Sequence, residues 1–209
     1  MELSTWLAFF AASWAISLSP GPGAIAAMSA GLNQGFRRGY WTTIGLVMGI
    51  WLQVLLVGAG LGAVIAASAT IFTAIKWIGA GYLVYLGIQQ WRAPAVPMVT
   101  EDAAASRAMR RRDLVLRGIT INAVNPKGTV FLLAVMPQFL DLTQPLALQY
   151  LVVAATLSFT DLVVMAGYTA LAARVLSALK EAHHIRAMNR VFGSLFIGAG
   201  ALLATFKRG

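Results

Sequence analysis

Asp161 is the one acidic residue deep in an apolar stretch of this chain, in Thr160-Asp161-Leu162-Val163-Val164. Lys127 is its basic counterpart, in Asn125-Pro126-Lys127-Gly128. A carboxylate at the centre of a bilayer costs ~2.5 to 3.5 kcal/mol on insertion scales, so Asp161 should face a cavity or a cation. It could carry a proton or balance a substrate ammonium; the plainer alternative is a paired aspartate that holds helices together. Lys127 could capture a substrate carboxylate, helped by the positive backbone end of a half-helix that begins near Pro126. It could equally stay paired with Asp161. Asn125 beside it and Asn122 just before supply amide donors and acceptors. Tyr168 lies seven residues beyond Asp161 on the same helix face, as a hydrogen-bonding group or as a packed ring.

The elements that must position these groups contain proline-glycine interruptions, and these occur twice. The first is Ser19-Pro20-Gly21-Pro22-Gly23 and the second Asn125-Pro126-Lys127-Gly128, each inside an apolar stretch. Residues that break a helix are tolerated at membrane depth only where the freed backbone groups meet protein or a water-lined cavity. Breaks in corresponding positions of two halves are the mark of a secondary transporter, with the binding site between them. The first break carries no charge. Its donors would be Ser17, Ser19 and the amides near Gly21 and Gly23, with Pro22 limiting their number.

Composition demands a membrane. Hydrophobic residues make up 59% of the 209 and charged residues only 11%, against about a quarter charged in soluble domains. Six apolar segments, roughly 3 to 30, 41 to 66, 70 to 91, 114 to 140, 146 to 173 and 190 to 206, each approach the ~20 residues that cross ~30 Å. The first is expected to be a retained span, since Glu2 is the only charge near it and a signal peptide has a basic start. A linker at 92 to 113, with Pro94, Pro97, Arg107, Arg110, Arg111 and Arg112, divides the chain into a three-span repeat at 1 to 91 and another at 114 to 209. With an odd number of spans in each half, the second enters from the opposite side. The expected fold is therefore an all-α polytopic membrane protein of six transmembrane helices, arranged as two inverted three-helix repeats with helices one and four broken.

The net charge of +9 might suggest nucleic acid, but its distribution answers a different need. Twelve of the sixteen Lys and Arg lie in or beside the loops after spans one, three and five, while Lys76, Lys207 and Arg208 fall on the other face. The positive-inside rule then puts those loops in the cytoplasm and both termini in the periplasm, with no nucleic-acid partner implied. The chain has no cysteine and no Gly-Lys pair, so thiolate metal sites, redox centres and a Walker A phosphate loop are excluded. Neither a cofactor nor a metal is expected: His183 and His184 are adjacent, do not share a helix face, and have only Glu181 nearby. Gln53 could line the cavity or glue helices; Gly45 with Gly49 and Gly58 with Gly62 read as close-packing pairs. Trp6, Trp41, Trp77, Trp91 and Lys76 read as interface anchors.

The ordered motifs, Ser-Pro-Gly-Pro-Gly early and Asn125-Pro126-Lys127 followed by Phe131 and Pro137-Gln138-Phe139 later, resemble the LysE/RhtB family of amino-acid exporters over the full length of the chain. More narrowly, Lys76-Trp77, Tyr82-Leu83, the run from Leu86 to Arg92, Gly167-Tyr168 and the run from Phe192 to Phe196 look like the homoserine-exporting branch of that family. The resemblance implies efflux of homoserine, its lactone and related small amino acids from a bacterial cytoplasm across the inner membrane, energised by protons. A homo-oligomer is compatible with it. An intramembrane enzyme would need a converging set of acid, base or nucleophile, and Asp161 has no second deep carboxylate, histidine or cysteine to work with. A structural subunit would leave the paired breaks and Asp161 without a purpose.

Overall fold

The computed structural model describes residues 3–67, 69–94, 109–172 and 181–205. Those residues form nine α-helices: α1 Leu3–Leu18, α2 Pro22–Gln34, α3 Phe36–Gly39, α4 Trp41–Ala67, α5 Ala69–Arg92, α6 Arg111–Ala123, α7 Pro126–Phe139, α8 Leu146–Ala170 and α9 Ala182–Thr205. Both proline-glycine motifs break helices, and for the expected reasons. Pro20 has no N–H to continue α1 and Gly21 is extended (φ −152°, ψ −168°), so a new helix starts with Pro22 in its first turn. Asn125, extended because a proline follows it (φ −73°, ψ 107°), caps α7 by accepting from the Lys127 backbone N–H. The axes of α6 and α7 differ by 53° across that break.

Polar and small residues fix how the helices run against one another. Gly45 of α4 meets Val115 and Gly118 of α6, Gly49 meets Asn122, and Gln53 reaches Asn125, so α4 and the α6–α7 pair run in the same direction. Trp6 with Thr156, Ser17 with Thr160, and Leu18 with Tyr168 likewise set α1 in the same direction as α8. α4 and α8 are opposed, through Tyr40 to Leu162, Trp51 to Ser158 and Tyr150 to Gly58. α5 and α9 are also opposed, with Gly87 against Gly193 and Gln90 donating to Asn189. Phe9, Val54, Leu83, Val135, Met136 and Val153 centre the main core, and a second cluster forms around Ala27, Met28, Leu46 and Val164.

Large apolar side chains also cover the outside. Leu55 is 66% exposed and Ile78 70%, with Leu56, Trp77 and Leu148 similarly placed, which is the surface of a protein whose solvent is lipid. Two arginines meet the same end of α4: Arg38, just before it, donates to the Met109 carbonyl at 3.1 Å, and the Arg111 guanidinium lies 5.4 Å from the Trp41 ring centre.

Helices occupy all six expected places, and among the described residues Phe36–Gly62 and Leu146–Ala170 are individually long and apolar enough to cross a bilayer, with the bent α6–α7 pair a third. The breaks shorten the pieces of spans one and four. α9 starts eight residues before the expected segment. Gly62 has open space about it rather than a close-packed neighbour. Most of the linker, including Pro97 and Arg107, lies outside the described residues, as do Arg174, Lys180, Lys207, Arg208 and the Lys76 side chain.

The α4–α6 seam yields a test. A methyl at Gly118 would run into the Thr42 carbonyl and sit 2.7 Å from the Leu46 nitrogen, an overpacking that costs about 1 to 3 kcal/mol. Gly118→Ala should lower the unfolding temperature in detergent, while Gly62→Ala leaves it within error. Equal melting of the two variants would refute the seam.

Candidate functional site

The two breaks meet. The Lys127 ammonium donates to the Ser19 carbonyl at 2.7 Å, so a side chain from one break closes on the backbone of the other. Ser19 sits just past the end of α1, where carbonyls have no partner in their own helix. Its neighbour Leu18 has its carbonyl taken by the Tyr168 hydroxyl at 2.7 Å, and the Ser17 hydroxyl is paired with Thr160 at 3.1 Å. Groups from the second half of the chain thus secure the unwound end of the first span.

The second break is secured from the first half. Gln53 Nε2 donates to the Asn125 carbonyl at 3.1 Å and to the Thr129 hydroxyl at 2.9 Å, and Asn122 Nδ2 donates to the Leu46 carbonyl at 2.8 Å. A weaker contact of 3.4 Å joins Asn125 to Asn122. Gly128 gives the Gln53 amide room to approach: a Cβ there would be 2.7 Å from Gln53 Oε1. Gln53 both glues helices and lines the cavity.

Between the breaks lies a cavity of about 80 Å³. At roughly 10 to 15 Å³ per water of such space, it suits a few waters or a small organic molecule. Ser17, Ser19, Gly21, Gly23, Gln53, Asn122, Asn125, Lys127 and Asp161 all line it. Ile16, Leu46, Ile50, Phe131, Leu157 and Met165 add an apolar share, the usual mix for a small-molecule site. Asp161 is 8% exposed. It forms no salt bridge with Lys127, although the two are near enough for each to feel the other's charge. The lysine's partner in this structure is the Ser19 carbonyl, and permanent pairing with Asp161 is not what the geometry displays.

Two first-turn amides lie on the cavity's edge. Those of Gly23 and Ala24 precede the first bond within α2, Ile25 N–H to the Gly21 carbonyl, and both residues line the cavity. Here the positive end of a helix dipole meets a polar space, an arrangement suited to an anionic group.

Not every expected residue is on the wall. Tyr168 is absent from the lining; its hydroxyl is spent on Leu18, which makes it a support for the break. Pro20, Pro22 and Pro126 are absent too; Pro20 is buried, Pro22 and Pro126 are exposed, and all three act by stopping or starting helices. Sequence reasoning passed over Thr129 and Thr160. Thr129 stands one helical turn after Asn125 and Thr160 immediately before Asp161, and their spacing to residues already singled out was the available signal.

The match to known proteins runs nearly end to end. The chain is 42% identical over 208 residues to a homoserine/homoserine lactone efflux protein of Salmonella typhimurium, covering 99% of each. It is 43% identical to an uncharacterized membrane protein of Vibrio cholerae, over 99% of this chain and all of the relative. A leucine efflux protein of Enterobacter is 28% identical over 91% of this chain and 90% of its own. No solved structure matches. The family model for LysE type translocators matches residues 14–206, a stretch that holds both breaks and every cavity residue, and the chain belongs to that family of transporters, which are not enzymes.

Proposed function

We propose that this protein exports small amino acids, zwitterionic homoserine foremost together with its lactone, from the bacterial cytoplasm across the inner membrane in exchange for protons. The observation that carries the proposal is the cavity between the breaks, with Lys127 on its wall and Asp161 facing it. Lys127 and the first amides of α2 form the carboxylate end of the site, and Asp161 serves the ammonium and the proton in turn. The 42% identity to a protein named for homoserine and homoserine lactone efflux favours that substrate. The apolar share of the wall, from Ile50, Phe131 and Leu157 among others, favours as second reading an exporter of aliphatic amino acids.

Six alternating crossings in two inverted halves support the transport cycle. Helix directions agree with that scheme: spans two and four run the same way, as do one and five, whereas two opposes five and three opposes six. The contacts are reciprocal as well, since span two packs on the broken span four and span five on the broken span one. Two halves related in this way offer two arrangements of similar energy, one open to each side.

Two measurements test the proposal. A zwitterion has no net charge, so the membrane potential acts on its export only through a coupled ion. One inward proton supplies ~2.3 kcal/mol per 100 mV, roughly a 50-fold gradient, and a pH difference adds to it. In reconstituted vesicles Asp161→Asn should lose proton-driven efflux while still inserting and folding. A mutant that responds to an imposed pH gradient as fully as the parent assigns Asp161 a structural role instead. For topology, a reporter fused after Gly209 that works only in the periplasm should be active; one active only in the cytoplasm would show that a segment fails to cross, the first being the candidate because of Pro20 and Pro22.

A further inference from the structure

Ser19 has a hydroxyl with nothing to bond. Its residue is 3% exposed, its N–H donates to Ala15 at 3.1 Å and its carbonyl accepts from Lys127, yet its Oγ is buried without a partner. Two other buried hydroxyls, those of Thr42 and Thr43 on α4, also lack a partner, but neither residue lines the cavity; Ser13 returns to Phe9, Ser158 to Ala154, Thr169 to Met165, and Ser17 pairs with Thr160. A buried orphan hydroxyl is costly and calls for a reason. Ser19 lines the cavity, beside the lysine that would hold a carboxylate.

We propose that the Ser19 hydroxyl reads the side-chain oxygen of the substrate and so separates hydroxylated amino acids from plain aliphatic ones. This rests on the cavity being the amino-acid site. The γ-hydroxyl of homoserine is the group that joins its own carboxyl carbon when the lactone closes, so in the folded conformer that oxygen lies next to the carboxyl group. A site in which the hydroxyl reader and the carboxylate reader meet at one residue fits that folded shape. A serine hydroxyl donates and accepts. It therefore serves the alcohol of homoserine and the ring oxygen of the lactone alike, and finds nothing to bond in an aliphatic chain.

The test compares homoserine with 2-aminobutyrate, which lacks only the hydroxyl, by counterflow in vesicles. The parent should favour homoserine in KM by roughly tenfold, the worth of one hydrogen bond. Ser19→Ala should bring that ratio close to one, and Ser19→Thr, which keeps the hydroxyl, should retain it. Since Oγ has no partner to lose, Ser19→Ala should melt no lower than the parent. Ser19→Cys, of similar size and far weaker hydrogen bonding, gives the same reading should the alanine variant fail to assemble. A ratio unchanged in Ser19→Ala or Ser19→Cys, or a parent that exchanges both amino acids equally, overturns the role of Ser19 and leaves the export reading intact. A parent that exchanges neither overturns both.

Discussion

The contact from the Lys127 ammonium to the Ser19 carbonyl is the constraint on which the rest of the site depends. A helix that stops within a membrane leaves carbonyls with no water to satisfy them, and each unsatisfied group costs several kcal/mol. α1 stops at Leu18 and α6 at Ala123, so the chain must find donors from elsewhere. Lys127 and Tyr168 provide them for the first break, Gln53 for the second. Each of these donors comes from the other half of the chain, which ties the two breaks to one another, although the Asn125 carbonyl also accepts from Thr129 in its own half. The breaks are drawn together, and the cavity is the space they enclose.

Much of this was legible in the sequence because proline and glycine leave few choices. Pro20 and Pro126 have no N–H to donate the helix bond that would pass through them, and both helix starts fall where those residues demand. Asp161, Lys127 and Asn125 stood out because ionisable and amide groups are expensive in apolar stretches. What was less legible is side-chain direction. Tyr168 shares a helix face with Asp161, but its longer side chain reaches the Leu18 carbonyl and leaves the cavity to others. Hydropathy marked six segments, yet an average cannot tell a crossing interrupted by a break, as between α1 and α2 or α6 and α7, from a continuous one, whereas α5 and α9 run without such a break. Their glycine seam, Gly87 against Gly193, lets the two backbones approach closely, which is how helices associate when lipid offers no hydrophobic gain.

The site's two charges are unequally held. Lys127 has a carbonyl partner, whereas Asp161 has no ion pair within 4 Å. A lysine on a neutral carbonyl can exchange that partner for a carboxylate, a stronger acceptor for an ammonium. Binding a carboxylate would therefore release the Ser19 carbonyl and loosen the join between the breaks. In the export cycle we propose, occupancy of the site and geometry of the broken helices are linked by that one side chain.

Asp161 supplies the other half of the coupling we propose. A bare carboxylate buried at membrane depth is costly to carry between two faces, and two ligands can relieve it: the ammonium of an amino acid or a proton. Both compete for the same oxygens, so the site carries one or the other. The form with neither is the one least able to rearrange, because its negative charge would be desolvated with only a lysine at a distance to balance it. A transporter that moves readily when Asp161 is neutralised, and poorly when it is bare, exchanges substrate for proton without needing a second ion site. In the cycle we propose, one buried carboxylate beside one redirectable lysine supplies both ligand-binding charges.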